Sequence, residues 1–237
     1  MIRLDSPWLE YDLGAEMTVL SWAVNRPGFQ RARRILWRQL RNADLPPERD
    51  VRDWLAAELA ARGATDAICL LTSRRIDSYT TARARARTVE AEVLATVGLS
   101  NAERIGHHTD RSGRDWSRDI TPAVAPYGTV NLALRLTLPL SQTGLLEALS
   151  IATQARTAAI MDAAVLLPEG IATGTGTDCI AVAAPEGTED YAGLHTDCGL
   201  ALGRAVYDAV RRGAEDWKAS IGVAIAGLSE QGGGHAP

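Results

Sequence analysis

Apolar residues recur along the chain at two different spacings, and these spacings predict its strands and helices. Alternation is clearest at 129–140, where every second residue from 130 to 138 is valine or leucine, as expected for a β-strand with one buried face. Residues 29–41 fit a helix and a strand equally well, so both stay open there. Shorter apolar runs predict four further strands, at 17–24, 67–71, 88–97 and 178–184.

Apolar residues spaced three and four positions apart predict three helices, at 51–62, 143–163 and 197–217. Asp50 and Thr143 are placed to cap the first two helices. Thr196 or Asp197 is placed to cap the third. Because the helices stand singly between groups of strands, without strict β-α-β alternation, we predict an α+β fold. Its mixed, largely antiparallel sheet would pack against the helices.

A length of 237 residues fits one domain with elaborated loops better than two domains, since domains average about 150 residues. We therefore expect a single domain at 1–231. The stretch 106–127 is polar and contains two prolines, which predicts a loop insertion. The glycine-rich end at 232–237 predicts a disordered tail.

Charge and composition exclude several classes of protein. The net charge is −4, whereas a nucleic-acid binder usually has a basic domain. No apolar run reaches the length that spans a bilayer, and acidic residues interrupt the N-terminus before a signal peptide could form. The three cysteines include no C-x-x-C pair, which disfavours zinc and disulfides. We expect a cytoplasmic protein without a metal, nucleic-acid or membrane partner.

The segment ATGTGTD at 172–178 is the first candidate site. A loop rich in threonine and glycine offers many N–H and hydroxyl groups, which suit an oxyanion or an amide. An ordinary tight turn is the alternative. The loop lacks the helix and the third glycine of a dinucleotide-binding fingerprint, and it lacks the lysine of a P-loop.

His195 is the second candidate, because it would stand at the mouth of the last helix. The positive end of a helix dipole disfavours imidazolium, so a histidine there tends to stay neutral and can act as a base or a ligand. The alternative is a histidine that only hydrogen-bonds a loop carbonyl. Cys198 is a weaker candidate for a nucleophile, since no third group that would orient it can be named.

Two asparagines, Asn101 and Asn131, complete the candidates. A buried asparagine must satisfy both its carbonyl and its amide group. Such residues either form turns or hold the amides of a ligand.

Five segments, in this order, resemble the adenosylcobinamide amidohydrolase (CbiZ) family. They are GLSNA at 98–102, GTVN at 128–131, TQARTAA at 153–159, GTGTD at 174–178 and AGLHT at 192–196. The likeness extends over about 17–210. The chain departs from the family pattern at Arg26-Pro27-Gly28, where asparagine-glycine-glycine is usual, and at Leu194, where lysine is common. These departures concern substrate preference more than reaction type.

The resemblance implies hydrolysis of the amide that joins aminopropanol to the corrin ring of adenosylcobinamide, giving adenosylcobyric acid for salvage of cobalamin. It implies catalytic roles for three residues, His195, Asp178 and Thr177. It implies substrate binding by five more, Asn101, Asn131, Thr175, Gly176 and Ser100. In one mechanism His195, oriented by Asp178, activates a water; in the other Thr175, Thr177 or Ser100 is the nucleophile.

No cofactor is expected, because the cobalt belongs to the corrinoid substrate. His195 could instead be an axial ligand of that cobalt. A corrinoid-binding or carrier protein without catalysis is the rival function. The corrinoid is the partner that the resemblance implies, and a homo-oligomer stays open.

Overall fold

The computed structural model describes residues 1–41, 44, 46, 48–107 and 128–232, with the backbone alone from residue 221 onward. The insertion predicted at 106–127 lies outside these residues from 108 onward. The tail predicted at 232–237 lies outside them from 233 onward.

Within these ranges the chain forms strands and three helices in a mixed order. The first half contains β1 (Ile2–Asp5), β2 (Trp8–Ser21), β3 (Gly28–Gln39), α1 (Val51–Ala61), β4 (Ile68–Thr72), β5 (Thr80–Ala86), β6 (Val89–Val97) and β7 (Ala102–Glu103). The second half contains β8 (Val130–Leu136), α2 (Gln142–Ala163), β9 (Leu166–Leu167), β10 (Gly170–Ile171), β11 (Gly174–Thr175), β12 (Cys179–Ala184) and α3 (Asp197–Gly232).

One eight-stranded sheet organises the molecule. Its strands lie in the order β4-β3-β2-β12-β8-β6-β5, and β1 pairs with β2. The pairs β3–β4 and β8–β12 are parallel, and the other five pairs are antiparallel. This topology confirms the predicted α+β class with a mixed, largely antiparallel sheet.

The three helices cover the sheet and bury alternate side chains of its strands. The α2 and α3 helices pack against β6, β8 and β12, where Leu132 and Val182 are fully buried. The α1 helix packs Leu55 and Leu59 onto Leu36 of β3. It begins after Asp50, whose carboxylate accepts hydrogen bonds from two backbone N–H groups, as predicted.

The opposite face of the sheet encloses a second core. Side chains from β2, β3, β4, β6, β8 and β12 meet there, with Tyr11 and Trp37 as the largest. The sheet curls far enough for β8 to reach β4, although β12, β2 and β3 lie between them in the strand order. Asn131 Nδ2 of β8 donates to the carbonyl of Leu71 at 2.6 Å. This contact brings the end of β4 to the start of β8.

Several predicted elements differ in extent from the observed ones. The strand predicted at 17–24 is the second part of β2, which begins at Trp8, and α3 continues past 217 to Gly232. Residues 28–39 are a strand, which settles the ambiguity at 29–41. The prediction that Thr143 caps the second helix is wrong, because the hydroxyl of Ser141 accepts the capping bond from Gly144.

Candidate functional site

A cavity of about 620 Å³ opens where β4 ends and β8 and β12 begin. Parallel strands start at the same edge of a sheet, so β8 and β12 bring Asn131 and Asp178 to one place. Leu70 and Leu71 of β4 form part of its apolar wall, and Trp22 stands beside it after β2. The cavity therefore combines apolar walls with a few fixed polar groups, as ligand sites commonly do.

Asp178 is the most constrained side chain of this region. Its carboxylate is buried, with 7% of the side chain exposed. One oxygen accepts from the N–H of Val130 at 3.0 Å and from the hydroxyl of Thr175. The other accepts from the N–H of Thr175 at 3.1 Å and pairs with Arg156 at 2.7 Å. Asp178 therefore connects the loop at 172–178, here called the Thr/Gly loop, to β8 and to α2.

Arg156 lies in the family-like segment at 153–159, and the sequence alone assigns it no role in the site. Its guanidinium also donates to the carbonyl of Thr173 at 3.0 Å. Gly174 makes room for it, since a Cβ there would lie 2.0 Å from Arg156 Nη1. The sequence signal that could have identified Arg156 as a site residue is an arginine on a largely apolar helix face, because a buried arginine usually has a charged partner. In the structure 13% of its side chain is exposed.

Two opposing effects set the charge of Asp178. Burial raises the pKa of its carboxyl above the usual value, and the positive charge of Arg156 acts in the opposite direction. The hydrogen bonds from Thr175 and Val130 also favour the ionised form. These attractions limit the rise in pKa that burial causes.

The turn at 98–101 lies directly against the Thr/Gly loop. The N–H of Gly176 donates to the carbonyl of Asn101 at 3.2 Å, and Asn101 lines the cavity. Close approach requires Gly128, because a Cβ there would lie 2.7 Å from the carbonyl oxygen of Gly98 and 2.7 Å from the N–H nitrogen of Ser100. Ser100 is half-buried and is not among the described residues that line the cavity.

A chain of hydrogen bonds fixes the inner wall. Thr129 Oγ1 donates to the carbonyl of Thr177 at 2.8 Å and lies 3.4 Å from Asn131 Oδ1. The hydroxyl of Thr177 lies 3.4 Å from the carbonyl of Gly128. On the outer side, Trp22 Nε1 donates to the carbonyl of Asp178 at 2.7 Å. Neither Thr129 nor Trp22 was predicted as a site residue, because each stands within or next to a segment that fits an ordinary strand.

His195 lies away from this cluster. Asp178 precedes β12 and His195 follows it, and a six-residue strand spans about 20 Å. The segment that carries His195 is tied to the start of α2, where the N–H of Ala192 donates to Glu147 at 2.6 Å. Arg156 lies nine residues further along that helix, about 13 Å along its axis. The imidazole is exposed, and the structure does not bring it to Asp178.

The prediction that Thr196 or Asp197 caps the last helix is confirmed for Thr196. Thr196 Oγ1 accepts from the N–H of Gly199 at 2.9 Å, which makes Thr196 the cap. Cys198 is buried in the first turn, and burial raises the pKa of its thiol to about 11. That pKa leaves almost no thiolate at neutral pH, so Cys198 is not an activated nucleophile.

The two remaining cysteines line the cavity, as Cys69 of β4 and Cys179 of β12. Burial raises the pKa of both thiols to about 12. They behave as small apolar wall residues, as free cysteines in apolar surroundings commonly do. Among the described residues, no three histidine, cysteine or acidic side chains cluster as metal ligands would.

Comparison with protein families gives a match over most of the chain. A family model described as adenosylcobinamide amidohydrolase matches residues 2–222 of the chain. No curated protein matches the chain. No helix in the described part of the chain has the length and apolar character needed to cross a membrane.

Proposed function

Because the chain belongs to the adenosylcobinamide amidohydrolase family, we propose that it hydrolyses the amide joining aminopropanol to the corrin ring of adenosylcobinamide. The products would be adenosylcobyric acid, which enters cobalamin salvage, and the amino alcohol. The observation that carries this assignment is the cavity beside the Thr/Gly loop, which is lined by four of the eight predicted site residues, Asn101, Asn131, Thr177 and Asp178.

The cavity wall suits a carboxamide arm. Asn101, Thr129, Asn131 and Thr177 supply neutral donors and acceptors along an otherwise apolar surface. The volume is that of a pocket for a drug-sized ligand, and adenosylcobinamide is considerably larger. We therefore place the scissile arm inside the cavity and the corrin ring across its mouth.

Asp178 acts as a positioning residue in this proposal. A carboxylate has about four lone-pair sites, and four donors from Val130, Thr175 and Arg156 occupy them. An incoming water would have to displace one of these donors before giving up its proton. The carboxylate instead holds the loop in the conformation that places Thr177 at the cavity wall, where its hydroxyl would meet the amide.

Of the three hydroxyls considered as nucleophiles, Thr177 is the best placed. The hydroxyl of Thr175 donates to Asp178, and Ser100 does not line the cavity. The nearest partner of the Thr177 hydroxyl is a backbone carbonyl, which is no general base. This contact favours attack by water, with Thr177 orienting the amide.

A direct test mixes the purified protein with adenosylcobinamide and measures aminopropanol and adenosylcobyric acid by mass spectrometry. We expect both products in equal amounts. Tight corrinoid binding without release of aminopropanol would support the carrier function and refute hydrolysis.

A second measurement separates the two mechanisms. Thr177→Val keeps the shape of the side chain and removes the hydroxyl. If water attacks, this variant retains measurable turnover and no acyl-protein accumulates in the wild type. Complete loss of turnover, together with a wild-type species heavier by the corrinoid acyl group, would establish Thr177 as the nucleophile.

A further inference from the structure

Trp22 is an aromatic residue that remains open to solvent at the cavity. It follows β2, lines the cavity and is 45% exposed. Nine other large apolar residues are exposed in the described part of the chain, and none of them lines the cavity. Exposed apolar surface beside a pocket is typical of a ligand-binding site, because a bound ligand removes that surface from water.

A hydrogen bond fixes the indole of Trp22 in place. Its Nε1 donates to the carbonyl of Asp178 at 2.7 Å, which connects the end of β2 to the residue before β12. The N–H is the only polar group of a tryptophan side chain, so the exposed part of this side chain offers a ligand apolar ring surface. An aromatic ring held in this way loses little conformational entropy when a ligand packs against it.

The indole is anchored close to the position proposed for the scissile amide. Asp178, whose carbonyl holds it, directly follows Thr177, whose hydroxyl would orient that amide. Val24 and Leu40 also line the cavity and are half-buried, so Trp22 is not the only apolar surface there that a ligand can reach. The arm is attached directly to the corrin ring. A substrate whose arm reaches Thr177 therefore brings that ring to the neighbourhood of Trp22.

We propose that Trp22 is a substrate-binding residue whose indole ring packs against the corrin ring of adenosylcobinamide. The inference rests on the proposed function. The contact is apolar, because the indole N–H is already bonded to Asp178, and it lies outside the reacting amide. Such a contact forms equally in the ground state and in the transition state, so it supplies affinity for the corrinoid and leaves the chemical step unchanged.

Two substitutions in the full chain separate contact by the ring from the hydrogen bond that the indole makes. Trp22→Ala removes both, whereas Trp22→Phe keeps an aromatic ring and removes the N–H. We expect KM for aminopropanol release to rise about tenfold in Trp22→Ala, which corresponds to about 1.4 kcal/mol, and at most about threefold in Trp22→Phe. In both variants kcat should stay within about twofold of the wild type. Tyr191→Ala removes an aromatic ring that is 72% exposed outside the cavity; it is the control and should change neither quantity.

A role through the backbone of Asp178 predicts a different pattern. Equal losses in Trp22→Ala and Trp22→Phe, or a fall in kcat as large as the rise in KM, would overturn the inference. An unchanged KM in Trp22→Ala beside an active wild type would also overturn it and leave the proposed function standing. If Trp22→Ala does not fold, Trp22→Leu takes its place, since it also lacks the ring.

The same variants decide the inference if the wild type binds adenosylcobinamide without hydrolysing it. The proposed function then fails, and the dissociation constant from equilibrium dialysis replaces KM. Weaker binding by Trp22→Ala than by Trp22→Phe would still support the contact with the corrin ring, and equal binding by Trp22→Ala and the wild type would overturn it. Absence of any binding to the wild type overturns both proposals.

Discussion

The ion pair between Arg156 and Asp178 is the contact on which the geometry of the Thr/Gly loop depends. The two side chains are 13% and 7% exposed and 2.7 Å apart. Arg156→Met keeps most of the apolar stem and removes the cation, which leaves the carboxylate buried without a counter-charge. Removing one partner of a buried pair typically costs about 3–5 kcal/mol. For a domain of this size we expect the unfolding temperature to fall by about 6–20 °C.

The loss should depend on pH. In the folded wild type, burial raises the pKa of Asp178 and Arg156 opposes the rise, so Arg156→Met raises that pKa further. A folded pKa above the unfolded value favours folding at low pH, and this advantage disappears as the pH rises through the folded pKa. The free energy of unfolding that Arg156→Met loses relative to the wild type should therefore be largest at neutral pH and smaller in acid.

Urea unfolding of both proteins at pH 7 and pH 5 measures this difference. Arg83→Met is the matched control, because Arg83 lies at the same 2.7 Å from Glu92 but is 78% exposed, and such surface pairs contribute about 0–1 kcal/mol. The double variant Arg156→Met with Asp178→Asn should recover part of the stability, since it buries no uncompensated charge. A deficit below about 1 kcal/mol at pH 7, or one that grows in acid, would refute the reasoning.

Three further predictions concern other parts of the chain. Gly128→Ala should lose about 1–3 kcal/mol of stability and most activity, because its Cβ would lie 2.7 Å from the carbonyl of Gly98; unchanged urea unfolding would contradict this. Cys69 and Cys179, with thiol pKa values of about 12, should resist iodoacetamide at pH 7.5 until the protein is unfolded; rapid labelling of the native protein, detected by mass spectrometry, would contradict these raised pKa values. Lys218→Met should lose about 0.5–1 kcal/mol, because Lys218 Nζ donates to a carbonyl at the end of α2 at 2.8 Å; an unchanged unfolding temperature would show that this cap contributes nothing.

Most strands of the sheet were predictable from their apolar residues, whereas β3 and β5 were not. In the second half of β3, Leu36 faces α1 while Ile35 and Trp37 face the second core. The period of two disappears when both faces are buried, which explains the ambiguity at 29–41. No strand was predicted at β5, where alanine alternates with arginine, because alanine gives only a weak apolar signal.

The loop residues of the site were predictable from the sequence, but the side chains that pair with them were not. Thr175, Gly176 and Asp178 stood out because their types and spacing suit oxyanion binding. Arg156 meets Asp178 only through the packing of α2 on the sheet, and no local pattern shows that contact. His195 was assigned to the site by its place at the mouth of the last helix and by the family-like segment at 192–196, although β12 separates it from Asp178.

The central claim is that the amide is cleaved at the cavity where β8 and β12 begin. Comparing kcat/KM for aminopropanol release in Asn101→Ala and His195→Ala tests it most directly. We expect Asn101→Ala to fall by about tenfold or more, which corresponds to about 1.4 kcal/mol of lost transition-state binding. We expect His195→Ala to stay within about twofold of the wild type. Loss of activity in His195→Ala beside an unaffected Asn101→Ala would place the reaction at the other end of β12 and contradict the claim.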